Sequence, residues 1–197
     1  MREPQNIADI ETLGINMMGF IFYKKSSRYV ENAPMTKNVA RVGVFVNENA
    51  DKITAIAIAN KLTHIQLHGN ETAEICLMLK QQGYKIIKAI SIKDSNDFEI
   101  TKEYEDAVDF LLFDTKCETY GGSGQTFDWS LLSQYKGTTP FLLSGGIKED
   151  MVDSIKQIRH KQFVGIDLNS GFETSPAYKD IDKLRIFIND FLDIKIK

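Results

Sequence analysis

Residues suited to chemistry gather in the last third of the sequence, in three loops that each follow an apolar run. Asp109-Phe110-Leu111-Leu112-Phe113 leads into Asp114-Thr115, and then into Gly121-Gly122-Ser123-Gly124-Gln125-Thr126-Phe127-Asp128-Trp129. Pro140-Phe141-Leu142-Leu143 leads into Ser144-Gly145-Gly146-Ile147. Phe163-Val164-Gly165-Ile166-Asp167 leads into Leu168-Asn169-Ser170-Gly171-Phe172-Glu173. Six of the thirteen glycines fall in these loops, which is too concentrated for ordinary turns. Glycine lets backbone N–H groups approach an oxyanion with no Cβ in the way, and a helix N-terminus just behind adds a favourable dipole. One such loop would read as a tight turn. Two in succession, Gly145-Gly146 and Asn169-Ser170-Gly171, point to a bound phosphate.

Asp114 shares a face with Phe110 and Leu112. A carboxyl at the rim of an apolar wall suits a general acid, although alone it would read as an exposed loop cap. Asp167 is a weaker case and fits a residue that orients its loop. Arg28, in Lys24-Lys25-Ser26-Ser27-Arg28-Tyr29, could grip a substrate carboxylate bidentately, and fits a solvated basic loop equally well. His64 and His68 share a strand face but stand about 13 Å apart at roughly 3.3 Å per residue, so they cannot ligate one metal. His68, beside Gly69, is a candidate substrate contact, and His64 a structural residue at the opposite rim. Gln66 lies between them on the same face. No histidine–carboxylate cluster has metal-site spacing. Cys117 reads as an ordinary loop residue near Asp114, and Cys76 as a small hydrophobe on a helix.

These side chains need a frame. Strand patterns run near 17–22, 41–46, 63–67, 85–90, 109–113, 140–143 and 163–167, with helical patterns between them. Pro4 suits a first helical turn, Ile7, Ile10 and Leu13 give that helix its apolar face, and Gly14 closes it. Asn70 is a candidate cap for a helix carrying Ile75, Met78 and Leu79. Asp180 is a candidate cap for one carrying Leu184, Phe187, Ile188 and Phe191. The segment near 94–106 is a weak helix, and residues 23–40 are irregular. Repeated strand–helix alternation implies a parallel α/β sheet, doubly wound or closed as a barrel. Seven strands with a helix first would fit a (β/α)8 barrel lacking its first strand, and periodicity alone leaves an open sheet equally possible. Either way, sites lie at the C-terminal ends of the strands.

The bulk numbers agree. The sequence has 197 residues, 43% of them hydrophobic, enough for the core of a single domain over 1–197. Net charge is −3 with both signs interspersed, unlike a nucleic-acid or membrane surface. No apolar run reaches the roughly 18 residues of a membrane span. Two cysteines make no disulfide framework, and a cytoplasmic setting follows.

Taken in order, these segments resemble the phosphoribosylanthranilate isomerase family of tryptophan biosynthesis. The resemblance rests on Gly19-Phe20-Ile21-Phe22 with Ser27-Arg28-Tyr29-Val30, Val42-Gly43-Val44-Phe45, Ile65-Gln66-Leu67-His68-Gly69 and the three glycine loops. Each piece is short, but their order and spacing are specific. The resemblance implies a (β/α)8 TIM barrel and an Amadori rearrangement without metal or cofactor. The partner is then a small phosphorylated substrate, with the enzyme a monomer or homodimer. It implies Asp114 as general acid, Arg28 on the anthranilate carboxylate, and phosphate at Gly145-Gly146 and Ser170-Gly171. It also implies a general-base cysteine in a Lys-(Ile/Val)-Cys-Gly strand, and Met1 aligns just after that segment. The base is therefore expected outside residues 1–197, in a longer functional protein, with activity of this exact chain severely reduced. Ala177 stands where the family often has glycine. A rival phosphate-binding barrel, such as indole-3-glycerol-phosphate synthase, would need a lysine-rich set, for which Lys88 stands alone. A phosphate-binding fragment without activity is the other alternative.

Overall fold

The computed structural model describes residues 1–115 and 126–193. Seven strands form one parallel sheet: β1 (Met17–Ile21), β2 (Ala40–Phe45), β3 (His64–Leu67), β4 (Lys85–Ile92), β5 (Phe110–Thr115), β6 (Phe141–Leu143) and β7 (Phe163–Ile166). Each pairs with its neighbours in sequence, and the order β1 to β7 never reverses. A doubly wound sheet reverses its order at a switch point. Parallel crossovers are right-handed, so an order that only advances puts every helix on one face and turns the other face inward on itself. That is barrel architecture, and it removes the open-sheet alternative. Among the described residues, β7 pairs on one side only, and the outer edge of β1 carries a single parallel bridge from Ile21 to Tyr29.

Side-chain parity splits the core in two. Phe20, Phe45, Ile65, Leu67, Ile86, Leu111, Phe113, Phe141 and Leu143 face the helices in the larger cluster. Val42, Ile87, Ala89, Leu112 and Leu142 fill the interior, with Met17 and Phe110 against them. His64, Gln66 and Asp114 share the interior parity, as the alternation predicts.

The described residues include five α-helices, α1 (Pro4–Glu11), α2 (Ala50–Ala59), α3 (Ala73–Gln81), α4 (Val152–Lys156) and α5 (Ile181–Phe191), and shorter 3₁₀ segments. Helix α1 starts on Pro4 and buries Ile7 and Ile10. The left-handed turn at Gly14 (φ 74°) follows its end. The Asp180 side chain accepts the Lys183 N–H and caps α5 as expected. Asn70 does not cap α3: its own N–H donates to Asn47 Oδ1 at 2.6 Å, and Thr72 is the cap residue. Met78 is 39% exposed, and the buried face of α3 is Cys76 and Leu79. The weak segment is a 3₁₀ helix over Ser95–Tyr104, started by a reciprocal Asp94–Asp97 capping box. The irregular stretch before β2 is held by Arg41, whose guanidinium donates to the carbonyls of Ala33, Pro34 and Asn60.

One element was not anticipated. After β7 the chain makes an antiparallel hairpin, β8 (Glu173–Ser175) and β9 (Tyr178–Lys179). The fully buried Asn6 of α1 clamps it: Asn6 Nδ2 donates to Lys179 O, and Lys179 N donates to Asn6 Oδ1, both at 2.9 Å. Ala177 turns the hairpin at φ 68°, a conformation that costs an L-residue about 1–2 kcal/mol. Glycine gives back part of that gain through its unfolded-state entropy. Ala177 is only 1% exposed, so the change to glycine also removes a buried methyl worth about 0.8 kcal/mol. Ala177→Gly is therefore expected to leave stability within about 0.5 kcal/mol of the parent. A larger shift of the urea midpoint at unchanged slope would refute this balance.

Candidate active site

Asp114 is the fifth residue of β5, in register with Ser91 of β4 and above Leu112 on the interior face. Its Oδ1 accepts the N–H of Thr115 at 2.8 Å, and its Oδ2 lies 3.2 Å from Nε2 of His68. Its side chain is 18% exposed and that of His68 21%, open enough for a ligand to reach both. His68 follows β3, with its own N–H on the Phe45 carbonyl at 2.9 Å. On the far side of its ring, Nδ1 lies 3.1 Å from Nε2 of Gln66. Both ring nitrogens are thus engaged, so a polar substrate contact would displace one of these partners. His64 stands at the other rim as expected, its Nδ1 2.9 Å from the Thr63 hydroxyl. Burial draws its basicity down, with Asp109 opposing.

The glycine loops close on Asp114. Gly145 and Gly146 both take left-handed backbone (φ 88° and 64°), which needs glycine. A Cβ on Gly145 would stand 2.5 Å from both Asp114 Oδ1 and Thr115 Oγ1. A Cβ on Gly171 would stand 2.2 Å from the Ile147 carbonyl oxygen. The end of β5 and the loops after β6 and β7 therefore touch one another through Gly145 and Gly171. The expected helix dipole is weaker than the sequence suggested. Only the three-residue 3₁₀ turn Ser170–Phe172 follows Asn169, and α4 is five residues long after the turn Glu149–Met151. Residues 121–125, the first glycine loop, and Cys117 lie outside the described residues.

Two cations border the loops, Arg28, a candidate from the sequence, and Lys179, which sequence reasoning missed. Arg28 is not a solvated loop residue. Its Nε reaches Glu173 Oε1 and Oε2 at 3.0 and 2.8 Å, and its Nη2 reaches Oε2 at 2.6 Å. That pair uses one edge of the guanidinium. Lys179 Nζ donates to Asn169 Oδ1 at 2.8 Å and lies 3.4 Å from Glu173 Oε1. Burial pushes the Glu173 carboxyl up, but the Arg28 hydrogen bonds and the Lys179 charge outweigh it and hold it below the ordinary carboxylate range. Burial draws the Lys179 ammonium below its usual value, against the pull of Glu173 and Asp167. Asp167, crowded by neighbours though reached by solvent, is pushed up by burial. Lys179 opposes that shift, Asp114 adds to it, and the Ser144 hydroxyl donates to Oδ2 at 3.1 Å. Asp167 does tie its loop to β6. The arrangement sets one rim carboxyl beside an imidazole, glycine loops with open backbone, and two cations. It suits proton transfer on a substrate bearing anionic groups.

Two sequence candidates lie elsewhere. Lys88 faces the helix layer, 2% exposed, bound to Glu71 and three carbonyls, so it supplies no barrel-interior lysine. Cys76 is fully buried beside it, and burial pushes the thiol up to about 11. Among the described residues no histidine, cysteine and carboxylate group could hold a metal, and no helix is long and apolar enough to cross a membrane.

Residues 1–190 match the family model of N-(5'-phosphoribosyl)anthranilate (PRA) isomerase. The chain belongs to this family. The PRA isomerase of Parabacteroides distasonis is 52% identical over 200 residues, spanning 98% of this chain and 90% of that protein. The crystal structure of the PRA isomerase of Thermotoga maritima superposes with a TM-score of 0.84 at 32% identity, covering 98% of this chain and 96% of that one. A PRA isomerase solved with reduced 1-(o-carboxyphenylamino)-1-deoxyribulose 5-phosphate gives a TM-score of 0.82 at 30% identity, with the same coverages. Family membership and the advancing strand order agree on a TIM-barrel-like fold. Lys179 carries a sequence signal that could have found it: it lies in the short stretch between Glu173, the end of the last glycine loop, and Asp180.

Proposed function

We propose that this chain isomerises N-(5-phosphoribosyl)anthranilate to 1-(2-carboxyphenylamino)-1-deoxyribulose 5-phosphate, a step of tryptophan biosynthesis. Family membership and the ligand bound to a solved relative support the activity. The observation that carries it is the convergence of Asp114 with two glycine loops, each packed so closely that a Cβ would collide. Asp114 gives its proton to the furanose ring oxygen, the C1–O bond breaks, and the anilino nitrogen forms a Schiff base with C1. A base then takes the C2 proton, and the resulting enamine rearranges to the ketone. The reaction moves protons and no redox equivalents, so it needs no redox cofactor. Gly145, Gly146, Asn169, Ser170 and Gly171 hold the phosphate. Arg28, aimed by Glu173, offers its free edge to the anthranilate carboxylate, and His68 stands against the acid. A cytoplasmic setting fits a biosynthetic step and a buried free thiol at Cys76.

The base is not Cys76, whose thiol is buried on the helix side and yields little thiolate. The finer reading is a barrel whose first strand, with the base, stands outside residues 1–197. Among the described residues, β7 pairs with one strand only and the outer edge of β1 meets only the Tyr29 bridge, which supports it. The test follows the loss of substrate fluorescence on this chain and on one extended by a Lys-Val-Cys-Gly strand. The extended form is expected to turn over roughly 10²–10⁴-fold faster, and its Cys→Ser version to lose that gain. Equal rates would refute the missing base, and failure of the extended form would refute the activity.

A further inference from the structure

We propose that Gln66 is a positioning residue for this reaction: its amide fixes His68 as the neutral tautomer protonated on Nε2, so that the ring donates a hydrogen bond to Asp114. The geometry runs in one line. Gln66 Nε2 is a donor and lies 3.1 Å from Nδ1, so Nδ1 must accept and the ring proton must sit on Nε2. That N–H faces Asp114 Oδ2 at 3.2 Å. The other carboxyl oxygen is already met by the Thr115 N–H at 2.8 Å. When Asp114 gives up its proton, the new charge is received by two donors already in place.

The surroundings of Gln66 favour this role. On the sheet it is flanked by Val44 of β2 and Ile87 of β4, and Ile87 belongs to the apolar interior. A half-buried amide beside these apolar side chains gains from a partner, and the imidazole is the partner the structure gives it. A carboxylate at this position would accept from Nδ1 and favour a doubly protonated, charged ring. A neutral amide sets the tautomer without adding charge. Gln66 acts through His68, and the role rests on the reading of Asp114 as the acid.

The first test needs no turnover. The sequence has three histidines, so three imidazoles appear in the ¹⁵N spectrum, and His68→Gln assigns the relevant one. At about pH 8, above the ordinary imidazole range, His68 of the unaltered chain is expected to show the Nε2–H pattern. In Gln66→Glu it is expected to show a protonated Nδ1. An Nδ1–H pattern in the unaltered chain would overturn the proposal, because the amide would then present its oxygen. So would a Gln66→Glu spectrum identical to the parent's. The second test is kinetic. Gln66→Glu and the uncharged Gln66→Met are expected to lower kcat about tenfold, with KM nearly unchanged. A change in KM alone would make Gln66 a binding residue and refute the positioning role. An inactive Asp114 variant that kept the Nε2–H pattern would leave the tautomer intact. An active one would instead remove the acid reading on which the role depends.

Discussion

Replacing Asp114 by alanine is expected to lower kcat roughly 10²–10⁴-fold relative to the same chain with Asp114, with little loss of stability. The side chain lies one residue before the end of β5, 18% exposed, so removing it leaves no buried cavity of consequence. Its two structural contacts, the Thr115 N–H and the His68 ring, stay accessible to water. The loss should appear in kcat rather than KM, because the carboxyl serves proton transfer to the ring oxygen and not the grip on phosphate or carboxylate. Asp114→Asn should be no milder. An amide can keep the Thr115 contact through its oxygen, but its NH₂ then meets the Nε2–H of His68, two donors face to face. Activity within tenfold of the parent for both variants would place the acid elsewhere, and Asp167 would be the next group to test.

Replacing Lys88 by methionine is expected to cost about 3–5 kcal/mol of folding free energy. The ammonium lies between β3, β4 and the Ser95–Tyr104 helix, donating to Gly69 O at 2.6 Å, Ala89 O at 3.1 Å and Leu67 O at 3.2 Å. Glu71 Oε2 stands 3.3 Å away, with only 1% of its side chain exposed. Burial pulls the Lys88 ammonium below its usual value, and Glu71 pulls it back. Without Lys88, three carbonyls lose a donor and a buried carboxylate loses its counter-ion. The two N–H groups left to that carboxylate, from Asn47 at 2.7 Å and Gly69 at 3.0 Å, do not neutralise it. The double variant Lys88→Met, Glu71→Gln removes the orphan charge and should recover part of the stability. Urea unfolding of the three proteins measures this. A single variant within 1 kcal/mol of the parent, on the scale of an exposed pair, would show that the pair is not buried in solution. His68 lies between Leu67 and Gly69, whose carbonyls Lys88 holds, so the single variant should also lose activity.

What the sequence revealed and what it hid differ in range along the chain. The seven strands, the interior face of Asp114 and the glycine loops are local patterns of period two or of single residue types. The barrel was not readable from periodicity, because strand order is a property of the whole sheet. Pairings such as Arg28 with Glu173, 145 residues apart, leave no local trace. Arg28 therefore read equally as a solvated residue. The face of Lys88 was readable: it shares parity with Ile86 and Ile90, both on the helix side. Asn70 misled because Asn, Thr and their neighbours all suit a cap. The choice fell to Asn47, which takes the Asn70 N–H from another loop.

The clamp of Asn6 on Lys179 has a consequence for synthesis. Its two halves lie 173 residues apart. A ribosome working at 5–20 residues per second separates their emergence by roughly 9–35 s. During that interval the first helix has a buried-type amide with no partner and an apolar face with nothing to cover it. The nascent chain must therefore carry its first helix unfinished until its last hairpin arrives.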